Sequence, residues 1–120
     1  LEQVVIDFLC GLGIHGERLP GLTGVWVGDD KICSMGIAVR RWVSWHGFAL
    51  NIHPNFEHWA LIHPCGLVGR HVTSVEKLSG HPVDMGDVKR SIADKAGDVF
   101  CMEPASIDRA ELFKIAGEAL

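Results

Sequence analysis

Apolar residues Leu1, Val4, Val5, Phe8 and Leu9 recur at the three- and four-residue spacing of one helix face. Gly11 and Gly13 follow and end that helix. A loop through Pro20, Gly21 and Gly24 leads into the apolar run Val25-Trp26-Val27, and Gly28-Asp29-Asp30 marks a strand end and a tight turn. From Lys31 to about Arg40 the residues alternate with the period of a strand. Lys31, Cys33, Met35, Ile37 and Val39 fall on one predicted face. Ile32, Ser34, Gly36 and Ala38 fall on the other, which is mostly small. After Arg41-Trp42-Val43, a second strand from about Ser44 to Ile52 places Trp45, Gly47, Ala49 and Asn51 together. Paired as a hairpin, the two strands bring two small-residue strips side by side. Such a strip makes room for an acyl chain or a close backbone, and equally for a tightly packed helix; both bury apolar area.

Pro54 and Asn55 break the second strand, and Phe56 to Ile62 reads as a single helical turn. Pro64-Cys65-Gly66 belongs to a loop or strand edge, because proline donates nothing to a ladder. Val72 to Val75 reads as a further short strand. Met85, Val88, Ile92, Ala96 and Val99 predict a helix from about Asp84 to Phe100. Asp108 with Glu111 forms a capping box for a last helix. The pattern therefore predicts an α/β fold of the α+β type, with mainly antiparallel strands between 24 and about 75 and helices at 1–12 and 84–100.

Composition narrows the function. The chain has 120 residues, 48% of them hydrophobic and 22% charged, which is ordinary for a single globular domain. A net charge of −4 gives no electrostatic footprint for nucleic acid or an anionic membrane. The four cysteines, Cys10, Cys33, Cys65 and Cys101, form no CxxC, which predicts free thiols, three of them buried as small hydrophobes. Seven histidines form neither HxxxH nor HExxH, so no metal is expected; His46 and His63 read as structural. Trp26, Trp42, Trp45 and Trp59 read as core anchors. Gly-Leu-Gly at 11–13 closes a helix and is no dinucleotide fingerprint.

The candidate chemistry lies in two strings, His63-Pro64-Cys65-Gly66 and Lys31-Ile32-Cys33-Ser34-Met35-Gly36. A cysteine between proline and glycine is a nucleophile candidate, and its thiol, with an ordinary pKa of roughly 8.5, needs a nearby cation to act as thiolate at neutral pH. Together with "GVWVGDDKICSMGIAVRRWVSWHGFALNI" (24–52), "LIHPCGL" (61–67) and "VTSV" (72–75), these strings resemble the lipoyl(octanoyl) transferase family of the biotin/lipoate protein ligase fold. The family's first signature, an Arg-Gly-Gly stretch leading to Tyr-His-Gly-Pro-Gly, has no counterpart here. The resemblance therefore implies that residues 1–120 form the C-terminal portion of one catalytic domain.

The resemblance also implies an acyltransferase that moves octanoyl from acyl carrier protein to lysines of lipoyl domains, those of the 2-oxoacid dehydrogenases and the glycine cleavage H protein. It implies no cofactor and a cytoplasmic setting, mitochondrial or plastid if the source is eukaryotic. Cys65 matches the acylated nucleophile and Lys31 the acid–base partner. Ser34, Met35 and Gly36 match one acyl-binding stretch, and Gly47, Phe48 and Ala49 the other. An ATP-dependent lipoate or biotin ligase shares the lysine-bearing strand but needs no thiol. A non-catalytic accessory half of a split enzyme is the remaining alternative.

Overall fold

Val4, Val5, Phe8 and Leu9 form the buried stripe of the first helix, α1 (Glu2–Gly11). It packs on the long helix α4 (Met85–Phe100) and on strand β2 (Leu22–Val27). The computed structural model describes residues 1–59 and 70–118. Strands β1 (Glu17–Leu19), β2, β3 (Asp30–Arg40) and β4 (Val43–Leu50) form an antiparallel sheet in sequence order. The short helices α2 (Phe56–Trp59) and α3 (Val75–Ser79) follow, then α4 and α5 (Arg109–Glu118). The predicted α+β architecture is thus observed.

The core gathers Val5, Phe8 and Leu9 of α1 with Val25, Ile32, Cys33, Ile52, Val75 and Val88. The cap expected at Asp108 is present, and Asp84, at the expected start of α4, is a cap as well. Asp84 accepts from the Asp87 N–H at 3.0 Å, and Asp108 accepts from the Glu111 N–H at 2.9 Å. One expected strand is replaced. Of Val72–Val75 only Val72 makes a ladder contact, a parallel bridge to Lys31; Ser74 caps the Lys77 N–H and Val75 opens α3. A serine followed by Val-Glu-Lys-Leu satisfies helix-end donors better than a short strand would.

The tryptophans divide. Trp26 is buried in the sheet, whereas Trp42 is 98% exposed at the tip of the β3–β4 hairpin and Trp45 is also exposed. The tip is a two-residue turn with Arg41 at φ 52° and Trp42 at φ 64°, both left-handed. Hairpin twist favours this geometry and ordinarily recruits Asn-Gly for it. Non-glycine residues there carry a cost of about 1 kcal/mol each. Replacing Arg41-Trp42 by Asn-Gly is therefore expected to stabilise the chain by about 1–2 kcal/mol, read as a higher urea midpoint at unchanged m-value.

Candidate active site

The placement of Lys31 depends on an irregularity in the β2–β3 ladder. Val25 pairs with Cys33, but its neighbour Trp26 pairs with Lys31. One step along β2 is matched by two along β3, so Ile32 is the extra residue of a β-bulge. Paired residues share a face and neighbours along a strand alternate. Cys33 therefore stands on Val25's face and Lys31 on Trp26's. Burial agrees: Val25, Ile32 and Cys33 all join the core cluster, and Trp26, although fully buried, does not. The expected grouping of Lys31 with Cys33, Met35, Ile37 and Val39 fails at its first member, because the bulge moves Lys31 to the opposite side.

Beyond the bulge the register is regular. Ser34 pairs with Ala49, Gly36 with Gly47 and Ala38 with Trp45. The two small-residue strips do lie side by side, and they share the face of Lys31 and Trp26. An open depression of about 420 Å³ sits there, lined by Ser34, Met35, Gly36, Gly47, Phe48 and Ala49, the six residues of the two predicted acyl-binding stretches, together with His46. The Met35 and Phe48 side chains pack toward the core, so these two residues border the depression from the far side of the sheet. His46, read from sequence as structural, adopts φ 78° beside Gly47. A second depression of about 500 Å³ lies where α1 meets the same strands, with Glu2, Thr23, Met35 and Gly36 among its walls. Sequence periodicity gave no sign of it, since it depends on how α1 is seated.

Lys31 is only 7% exposed. Its main chain is clamped from both sides: its N–H donates to the His71 carbonyl at 3.0 Å, and its carbonyl accepts from the Thr73 N–H at 3.0 Å. Its Nζ lies 5.2 Å from the centroid of the Trp26 ring, and the Arg70 guanidinium lies 5.3 Å from the same ring. The Trp26 Nε1–H has no hydrogen-bond partner among the described residues. Gly24 lies beside the ammonium end of the lysine stem. A Cβ added there would stand 2.8 Å from Lys31 Cε and 2.3 Å from the Cys33 carbonyl oxygen. Glu2 fixes this glycine by accepting from its N–H at 3.0 Å, and pairs with Arg18 at 3.1 Å.

Cys65, and with it His63, lies outside the described residues. Of the other cysteines, Cys33 is buried as expected, whereas Cys10 and Cys101 are exposed rather than buried. Both lie at surface helix ends, beyond the reach of the core. Burial pushes the Cys33 thiol up to about 12, against the opposing pull of the Lys31 ammonium, with Glu2 adding to the rise. A thiol this reluctant to ionise is no nucleophile. The unfolded thiol ionises near 9 and the folded one near 12, so the stabilisation is complete below pH 9 and is lost as pH rises toward 12. Unfolding free energy is expected to fall through that window by up to about 1.4 kcal/mol per pH unit. Cys33→Val should remove this part of the slope in urea titrations between pH 8 and 11, and iodoacetamide at pH 8 should label Cys10 and Cys101 while sparing Cys33.

Among the described residues no group of three His, Cys, Asp or Glu side chains is placed to hold a metal ion, and no helix is long and apolar enough to cross a membrane.

Comparison with known proteins adds a family to this geometry. A profile of the lipoyl protein ligase A/B catalytic domain matches residues 1–97. The octanoyltransferase of Thermoanaerobacter sp. (strain X514) is 47% identical over 100 residues, covering 83% of this chain and 43% of that protein. The octanoyltransferase of Caldicellulosiruptor saccharolyticus is 48% identical over 117 residues, 96% of this chain and 50% of that protein. That of Syntrophobacter fumaroxidans is 53% identical over 93 residues, 78% and 41% respectively. The chain spans about half the length of the curated relatives it matches.

Proposed function

Because the chain belongs to the lipoyl protein ligase A/B catalytic domain family, we propose that it carries the acid–base group, the nucleophile and part of the acyl site of an octanoyltransferase. The observation that carries this reading is the bulge at Ile32, which sets Lys31 on the same face as the Ser34–Gly36 and Gly47–Ala49 strips. The path of the chain supports it as well. Cys65 is six positions before His71, whose carbonyl is bonded to the Lys31 N–H. Six residues reach at most roughly 20 Å when fully extended, so this spacing in sequence is compatible with a Cys65 that meets Lys31.

The chemistry balances without ATP. The Cys65 thiolate attacks the thioester carbonyl of octanoyl-acyl carrier protein, and the carrier's sulfur leaves as a thiol with a proton from the Lys31 ammonium. One thioester replaces another, so the step is close to isoenergetic. The lysine amine of a lipoyl domain then attacks S-octanoyl-Cys65, neutral Lys31 takes the amine's proton, and the Cys65 thiolate leaves. Both groups return to their starting states. Backbone N–H groups along 34–36 and 47–49 face the developing oxyanion in this reading. The acceptors are the lipoyl domains of the 2-oxoacid dehydrogenases and the glycine cleavage H protein, and the setting is the cytoplasm.

The test is to incubate the chain with octanoyl-acyl carrier protein, alone and joined to the N-terminal half of an octanoyltransferase relative, and to map adducts by mass spectrometry. An octanoyl group on Cys65 that passes to a lipoyl domain without ATP supports the proposal. Acceptor labelling that requires free octanoate and ATP assigns a ligase instead, and no adduct in either form favours an accessory half.

A further inference from the structure

We propose that Trp26 is a positioning residue for Lys31. Its indole face and the space left by Gly24 together hold the ammonium on the small-residue side of the sheet. The inference rests on the reading of Lys31 as the acid–base group, but the placement itself is argued from geometry. Among the described residues Lys31 is the one charged side chain that is buried, and a buried ammonium needs a partner. Among the described residues no carboxylate forms an ion pair with it. The Trp26 ring supplies a partner, 5.2 Å from Nζ to centroid, within the range at which an indole attracts a cation. The bulge makes this meeting possible, since without the extra residue Ile32 the residue across from Trp26 would be Ile32 itself. Gly24, two positions before Trp26 and on its face, leaves the lysine stem room to reach the ring.

Aromatic partnership suits a group that must exchange a proton. A carboxylate beside Lys31 would lock the charged form by full Coulombic attraction and would itself compete for the proton. A ring quadrupole orients the ammonium with a smaller bias and accepts no proton. Arg70 meets the same ring from the segment that follows Cys65 in sequence, and its own carboxylate, Asp29, is 3.4 Å away.

The experiment weakens the ring's potential without changing its shape. Fluorotryptophans bearing one, two and three fluorines are placed at position 26, and acetylation of the Lys31 amine by acetic anhydride is followed by mass spectrometry. The Lys31 ε-methylene proton shifts are read by NMR, with Lys31→Met supplying the assignment. Acetylation is expected to rise stepwise, roughly five-fold in total, as the ammonium leaves the ring. The upfield ring-current shift of the methylene should shrink in parallel. Trp26→Phe should retain most of that shift and Trp26→Leu should lose it. The series should persist in Arg70→Gln, which removes the other cation. A flat series, or one that disappears in Arg70→Gln, overturns the assignment. Because the fluorinated rings are nearly isosteric, the test stands even if Trp26→Leu fails to fold. Iodoacetamide labelling of Cys65 separates this inference from the function it rests on. A graded fluorine response with no effect of Lys31→Met on Cys65 labelling keeps Trp26 as the partner of Lys31 and removes the acid–base role.

Discussion

Lys31→Met is expected to lower octanoyl transfer by about 10²- to 10⁴-fold, the usual contribution of a positioned proton-transfer group, while leaving the fold in place. The fold tolerates the change because of where the lysine sits. Its ladder bonds to His71 and Thr73 are made by the main chain and survive any change of side chain. Methionine fills the stem's space between Gly24 and Trp26, and it removes an ammonium whose burial was costly. Stability should therefore stay within about 1 kcal/mol of the parent. Lys31→Arg divides the two roles of the side chain. Guanidinium keeps the positive charge but does not give up its proton. With it, Cys65 should still be acylated, more slowly because the carrier's sulfur then leaves as a thiolate without a proton from residue 31 and the larger head crowds Gly24, and transfer to the acceptor amine should fail. Rapid-quench measurement of acyl-enzyme formation and decay, in the chain joined to the N-terminal half of an octanoyltransferase relative, reads both steps. Transfer by Lys31→Met within three-fold of the parent would sink the assigned role.

Most of the architecture was legible from spacing. The buried stripe of α1, the alternation of β3 and β4, the start of α4 near Asp84 and the cap at Asp108 are short-range signals, and each reappears within a residue or two. The hairpin register that sets Gly36 against Gly47 follows from the same alternation, because a one-residue slip would exchange the two faces. Alternation failed at Lys31, and it had to fail there. A bulge is a property of two strands, chosen by what each must bury, and nothing in the string Asp30-Lys31-Ile32-Cys33 marks the point where the count slips. Ile32 and Cys33 are both apolar, both reach the core, and only an extra residue allows two neighbours to do so. The same limit explains the tryptophans. Trp42 carries as much apolar surface as Trp26, but a two-residue turn leaves it nothing to pack against. Resemblance supplied what spacing could not, namely the roles assigned to Lys31 and Cys65. The bulge then made the role of Lys31 geometrically consistent with the strips at 34–36 and 47–49.

Gly24→Ala is expected to destabilise the chain by about 2–4 kcal/mol and to lower transfer as well, through two separable contacts. The backbone contribution comes first. Gly24 adopts φ +114°, a conformation that costs an L-residue roughly 1–2 kcal/mol. The methyl would also stand 2.3 Å from the Cys33 carbonyl oxygen, a main-chain atom in the ladder next to the bulge, which yields only if the strands move apart. That displacement also strains the Glu2 acceptor bond to the Gly24 N–H, which ties the start of α1 to β2. The side-chain contribution is the 2.8 Å approach to Lys31 Cε, a flexible stem that relieves the clash by swinging its ammonium away from Trp26. A double-mutant cycle with Lys31→Ala separates the two. In the Lys31→Ala background the methyl no longer meets the stem, so the cost of Gly24→Ala should shrink by about 0.5–1.5 kcal/mol, the range typical of directly contacting residues. The remainder, carried by φ and the Cys33 carbonyl, should persist. Urea denaturation of the four proteins supplies the cycle. A Gly24→Ala cost below 0.5 kcal/mol, or a cost unchanged by removing the lysine stem, would mean that Gly24 does not set the position of Lys31.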